Sequence, residues 1–173
     1  IPVYNMGLED KQPFFTMPLM DKGSLRDYLQ EEHSLQLTIE VFKKICDALA
    51  FAHSKNILHL DLKPENIQVR RFGEVLLCDW GLAACHSDES GIVSEYSEAV
   101  FQTLKGQVRG TPGYMAPEQT EGIEAVKDER TDVFSLGAIL YEILCGQRIV
   151  NAESVEDAVK QTKAAQWPAP SAI

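Results

Sequence analysis

Residues 57–81, ILHLDLKPENIQVRRFGEVLLCDWG, constrain the fold more than any other stretch of the chain. Two apolar runs, Ile57–Leu60 and Val75–Cys78, flank a polar insert and a tight Arg71-Phe72-Gly73-Glu74 turn. An aspartate follows each run, Asp61 and Asp79, with Lys63 and Asn66 between them. Strand ends present side chains at the rim of a sheet, so both aspartates are expected there. Two carboxylates and an amide are hard oxygen ligands of the kind Mg²⁺ takes, and a nearby lysine suits a phosphate. A lone aspartate after a strand is ordinarily a cap or a turn residue. The set of four is what points to a metal–phosphate site.

The same stretch carries a resemblance. His59-Leu60-Asp61-Leu62-Lys63-Pro64-Glu65-Asn66 resembles the catalytic loop of protein kinases, His-Arg-Asp-Leu-x-x-x-Asn, with Leu60 in place of the arginine. Asp79-Trp80-Gly81 resembles Asp-Phe-Gly, and Met115-Ala116-Pro117-Glu118 supplies the Ala-Pro-Glu element. Any one of these is weak; three in order, at family-like spacing, are strong. The resemblance implies an α+β, protein-kinase-like fold: a mostly helical large lobe with short β-hairpins, the small lobe largely missing. It divides the chain into a small-lobe hairpin remnant and hinge over 1–20 and a large lobe over 21–173, truncated before its final helices. The activation segment would run over 79–118.

The activity so implied is transfer of the γ-phosphoryl group of ATP to a serine or threonine hydroxyl of a protein substrate, with Mg²⁺. Asp61 would orient that hydroxyl and take its proton, and Lys63 would stabilise the moving charge. Asn66 and Asp79 would hold the metal. Gly81 would give the turn its freedom, and Trp80 would pack beneath the site. His59 is expected to be structural rather than a proton carrier. Met17 falls at the gatekeeper position. The Pro18 carbonyl and the Met20 N–H would face adenine, a contact that does not need the N–H proline lacks. Gln68 falls beneath adenine. Thr111, in the substrate platform Gly110–Tyr114, joins Lys63 in marking the serine/threonine subgroup. Glu118 belongs to the same segment, and Asp132 would brace the catalytic loop from a helix start.

Read without the resemblance, the remainder is ordinary. Val3–Met6 and Phe14–Met17 read as strands around a Gly7–Pro13 loop. Ser24 with Asp27 caps a short helix to about Glu31, and Thr38 a longer one, Ile39 to about Ser54. Phe42, Ile45, Leu49 and Ala52 give that helix one apolar face. His33 is expected at the surface without a role, and His53 as support for a helix C-terminus. Ser87–Glu98 reads as a polar, mobile loop, and its hydroxyls, with Thr103, are candidate phosphoacceptors. Thr131-Asp132 opens a helix from Val133 to about Cys145 that is apolar around much of its circumference, ended by Gly146. Ser154 with Asp157 caps a last helix to about Ala165.

A net charge of −10 argues against nucleic acid and anionic membrane surfaces as partners and is read first as a matter of solubility. The four cysteines form no C-x-x-C pair and read as reduced thiols, with Cys85 in a loop. The longest apolar stretch is too short to span a bilayer. These features suit a cytoplasmic domain, or the cytoplasmic side of an anchored one.

Four departures from the family pattern bear on function. No glycine-rich loop or Val-Ala-Ile-Lys-like strand precedes residue 14, and Lys11 sits in the hairpin loop. The arginine that pairs with the glutamate of Ala-Pro-Glu is absent, leaving Glu118 without it. Leu60 removes a contact to a phosphorylated activation loop. Gln68 puts an amide where an apolar contact is usual. These 173 residues alone are therefore expected to be inactive and, through uncovered apolar surface, to self-associate. A pseudokinase or scaffold that binds without transfer is the alternative, and an unrelated α+β domain a third.

Overall fold

A computed structural model describes residues 4–9, 12–16, 23–70, 73–85, 110–121, 126–152 and 154–172. The expectations for Met17, Pro18, Met20, Lys11, the Ser87–Glu98 stretch and Thr103 lie outside these residues. Strands β1 (Asn5–Glu9) and β2 (Gln12–Thr16) form an antiparallel pair, with Asn5 opposite Thr16 and Glu9 opposite Gln12. The pairing therefore runs through most of the stretch expected to be a loop. Gly7 and Pro13 sit inside the strands and not at a turn. A Cβ on Gly7 would lie 2.9 Å from the Phe14 ring, so glycine lets that ring cross the strand. Pro13 is tolerated because both strands of a two-stranded sheet are edges.

Helix α1 spans only Leu25–Tyr28. Its capping box is the expected one: Ser24 N–H donates to Asp27 Oδ2 at 2.7 Å, and Asp27 N–H donates to Ser24 Oγ. The helix stops early because Gln30 and Glu31 turn back onto Asp27 and Tyr28 with three-residue spacing. Helix α2 (Leu35–His53) starts one turn before the expected cap. Ser34 holds extended backbone and accepts from Leu37 N–H, so it wins the capping role. Thr38 lies inside the first turn, buried, with its hydroxyl on the Ser34 carbonyl. Thr38, Val41, Ile45, Leu49 and Ala52 then line the face α2 buries.

Strand β3 is just Ile57–Leu58 and pairs with β6 (Ala84–Cys85). Cys85 thus stands in a strand and not in a loop. Strand β4 (Ile67–Val69) arises inside the stretch read as a polar insert and pairs with β5 (Val75–Leu77). The chain reverses between them with Arg70 N–H on the Glu74 carbonyl. Asp61 consequently belongs to a loop before β4 and does not end a strand.

Helix α3 (Glu129–Cys145) also begins earlier than expected. Asp128 caps it by accepting from Arg130 N–H at 2.9 Å, which places Thr131 and Asp132 in its first turn. Gly146 ends it in the left-handed region, φ 67°. It is not apolar-buried all round: Ala138, Ile139 and Tyr141 are buried, whereas Val133 and Leu144 are about half exposed. Helix α4 (Val155–Ala164) has Ser154 as its cap, as expected. The core joins Leu25 of α1, Val41, Ile45 and Leu49 of α2, Ile67 and Leu77 of the β4–β5 pair, and Ile139 of α3. Leu62 and Tyr114, from the loops between these elements, fill the same core. The catalytic-loop candidates are thus anchored in the middle of the apolar cluster. Among the described residues Cys46, Cys78 and Cys145 are free thiols, and no helix is long and apolar enough to cross a membrane.

Candidate active site

The loop from His59 to Asn66 is held from below by one buried carboxylate. Asp132 Oδ2 accepts His59 N–H and its Oδ1 accepts Leu60 N–H, both at 2.8 Å. Asp132 is fully buried, so two backbone donors and a third partner, His53 Nε2 at 2.8 Å, offset its desolvation. Gln119 holds the loop from the other side, donating to the Leu60 carbonyl at 2.8 Å while its oxygen accepts Ala116 N–H. Between these holds Leu60 adopts φ 63°, a conformation that costs a branched residue energy. The sequence reading missed Gln119 and gave His53 only a helix-end role. Their partners are 59 and 79 residues away, beyond any local pattern.

On this base Asp61, Lys63 and Asn66 come together. Lys63 Nζ donates to Asp61 Oδ2 at 3.0 Å and to Thr111 Oγ1 at 2.7 Å. Thr111 in turn donates to Asp61 Oδ1 at 2.9 Å. Asn66 Nδ2 donates to the Asp61 carbonyl and to its Oδ2 at 2.9 and 3.0 Å. The amide nitrogen is spent on Asp61, so the side-chain oxygen is the Asn66 atom that could take a cation.

Asp79 reaches the same end of the β4–β5 pair by a different route. Ile67 faces Leu77, and Cys78 N–H donates to the Asn66 carbonyl at 2.8 Å, so Asp79 leaves the ladder one residue beyond Asn66's partner. Its backbone, φ 58°, lies in the left-handed region that aspartate tolerates better than most. The conformational freedom expected of Gly81 falls on Asp79 instead. Gly81 matters through space: a Cβ there would approach Asp79 Oδ1 to 3.2 Å, so a side chain would make the carboxylate shift by a few tenths of an ångström. Among the described residues no three His, Cys, Asp or Glu side chains form a metal cluster. An Asn–Asp pair fits Mg²⁺ nonetheless, because that ion keeps waters and phosphate oxygens in its shell.

The supporting residues have defined places. Burial holds the His59 ring below its ordinary 6.5, against the opposing pull of the Cys78 carbonyl and Asp132. His59 Nε2 lies 3.0 Å from that carbonyl, so the ring ties the catalytic loop to the end of β5. Trp80 packs 4.5 Å from the His59 ring and donates its indole N–H to the Leu77 carbonyl at 3.1 Å. Gln68 lies in β4 opposite Leu76, with an isolated bridge to Ser24. Glu118 has found another partner than arginine: Thr131 Oγ1 donates to it at 2.6 Å. His33 is not without contacts, for its ring stacks on Tyr28 with centroids 3.8 Å apart.

A buried carboxylate thus holds the loop on which Asp61, Lys63 and Asn66 meet, and Asp79 follows the strand that pairs with β4. The chain belongs to the protein kinase domain family, which it matches over residues 1–172. Among known proteins it is similar to serine/threonine-protein kinase PknD of Protochlamydia amoebophila, 35% identical over 98% of this chain and 19% of that protein. The kinase of the same name from Chlamydia trachomatis serovar L2b is 36% identical over 83% of this chain and 18% of its own length. That of Chlamydia pneumoniae is 37% identical over 83% and 17%. The chain therefore spans about a fifth of the length of these relatives.

Proposed function

We propose that the protein carrying these residues is a serine/threonine kinase, passing the γ-phosphoryl group of ATP to a protein hydroxyl. The single observation that carries this reading is the Thr111 hydroxyl. It donates to Asp61 while accepting from Lys63, the pair of contacts an acceptor hydroxyl needs. Asp61 orients the incoming hydroxyl and receives its proton at a carboxylate oxygen. Lys63, held by Asp61 and Thr111, keeps a positive charge beside the oxygen that attacks. Asn66 and Asp79 are the residues that would hold Mg²⁺, which neutralises phosphate charge when bound. Asp132 and His59 position the loop and move no proton. Adenine recognition is assigned to Met17, Pro18, Met20 and Gln68 on the family resemblance. ATP use puts the domain in the cytoplasm or on the cytoplasmic side of a membrane.

The test is phosphate transfer from Mg²⁺-ATP to a serine peptide by the complete protein, with Asp61→Asn as control. Loss of at least about a thousandfold is expected. Equal activity in the variant would reject the role of Asp61. Leu60 and Gln68 favour a second reading, binding without transfer, which tight Mg²⁺-ATP binding without turnover would establish. The 173 residues by themselves contain no glycine-rich loop or its lysine strand, and we propose that as an isolated polypeptide they do not transfer phosphate. Exposed Met6, Leu8 and Phe15 on the hairpin support self-association of that polypeptide, which light scattering would detect.

A further inference from the structure

Beside the catalytic loop lies a second cluster of charges. Arg26 of α1 donates through Nε to Glu65 Oε1 at 2.9 Å, through Nη1 to Glu142 Oε1 and through Nη2 to the Tyr114 hydroxyl. Tyr114 in turn donates to Glu142 Oε2 at 2.6 Å. Both oxygens of Glu142 and one of Glu65 are thereby engaged by the chain itself. Burial and then Glu142 push the Tyr114 hydroxyl well above its ordinary range, so it stays neutral.

Arg148 stands differently. Its side chain is 46% exposed, and its guanidinium carbon lies 5.7 Å from the centre of the Tyr114 ring. Among the described residues it forms one ion pair, with Glu65 Oε1 at 3.9 Å, the same atom Arg26 already holds at 2.9 Å. That separation is too long for a hydrogen bond. The Arg148 stem passes 3.9 Å from where a Gly113 Cβ would be, two residues from Thr111. A half-exposed guanidinium fork, with no hydrogen bond among the described residues and only a 3.9 Å ion pair to Glu65, therefore lies over Tyr114 beside the Gly110–Tyr114 platform, while Glu142 and one Glu65 oxygen are already engaged by Arg26.

Resting on the kinase reading, we propose that Arg148 is a specificity-determining residue that selects an acidic side chain in the peptide substrate. A peptide carboxylate reaching this fork makes charge-assisted, two-pronged hydrogen bonds. A peptide arginine meets a like charge and glutamates already engaged by Arg26. The overall charge of −10 opposes acidic peptides only at long range. At physiological ionic strength it is screened beyond about 8 Å, so the local contact decides.

The experiment uses the complete protein and a set of fluorescent serine peptides in an alanine–glycine background. Glutamate, and separately arginine, is placed at each of the four positions on either side of the serine. Binding is read by anisotropy and transfer by kcat/KM. A glutamate at one position is expected to tighten binding about three- to tenfold over the neutral peptide. In the transfer assay the gain lies in the peptide KM and not in kcat. Arg148→Ala should bring the glutamate-to-neutral ratio to about one without moving the KM for ATP, and Arg148→Lys should keep part of the preference. A flat profile, a preference for arginine, or a ratio unchanged in Arg148→Ala would overturn the proposal. Because anisotropy needs no turnover, a protein that binds these peptides but transfers nothing fails the kinase reading while still deciding the role of Arg148.

Discussion

His53 Nε2 and Asp132 Oδ2 lie 2.8 Å apart, and that same oxygen accepts the backbone N–H of His59. One buried carboxylate thus joins the end of α2, the start of α3 and the catalytic loop. Removing it strands three donors, one of them the fully buried N–H of His59. Asp132→Ala is expected to destabilise the domain by about 3 kcal/mol or more. His53→Ala leaves both backbone bonds and should cost about 1–2 kcal/mol. Urea unfolding of the two variants checks the order; equal losses would mean that the backbone contacts contribute little.

Thr111 links the Gly110–Tyr114 segment to Asp61 and Lys63, the pair proposed to be catalytic. Thr111→Ala removes one hydrogen bond to Asp61 and one to Lys63. A loss of about 1.5–3 kcal/mol in positioning corresponds to roughly 10- to 100-fold in kcat/KM. Thr111→Ser keeps the hydroxyl and should recover most of it. Steady-state transfer assays with one peptide distinguish the two variants.

The cap of α1 supplies a pH dependence with a definite sign. Hydrogen bonds from the Ser24 hydroxyl and then from the Ser24 N–H hold the Asp27 carboxyl below its ordinary 3.8. The unfolded chain therefore binds this proton at higher pH than the folded one. The stabilisation is fully present above about 3.8 and is lost as pH falls through the lower, folded value. Wild type should be more stable than Asp27→Ala near pH 6, and the difference should shrink as pH drops towards 2. Denaturation curves across that range test it, and a difference that grows in acid would contradict the cap's charge-assisted character.

Leu60 sits at φ 63° with both its N–H and its carbonyl fixed by Asp132 and Gln119. A β-branched residue is worse there than leucine, so Leu60→Val should destabilise by about 1–2 kcal/mol. Leu60→Gly relieves the strain but frees the unfolded chain and should fall within about 1 kcal/mol of wild type. Thermal melts of the two variants would separate backbone strain from side-chain packing, since a strain-free Leu60 would make glycine the more damaging change.

Much of this was legible in the chain because it is local. Ser24 with Asp27 and Ser154 with Asp157 satisfy helix N-termini within three residues, and Gly146 ends α3 in the one region where side chains are disfavoured. The catalytic loop is short enough for its residue types and spacing to be read directly. Elements failed to read correctly where two local solutions competed. Ser34 and Thr38 can both cap α2, and only packing decides that Thr38 is buried. The hairpin was misread because Gly7 and Pro13 are turn residues by habit, whereas the opposite strand gives each a place inside the ladder.

By itself the sequence determined which groups were present for phosphate chemistry and the order in which they occur, since spacing along a backbone of fixed geometry limits where neighbours point. It also determined the helix ends that close on themselves. Only the tertiary structure decided that Asp132 holds the loop with His53, that Thr111 bridges Asp61 and Lys63, and that Arg26 engages Glu65, Glu142 and Tyr114 while Arg148 lies half-exposed over the Tyr114 ring. Those contacts join residues tens of positions apart. Their partners are chosen by the burial of the apolar core, which fixes the distances before any polar group can select another.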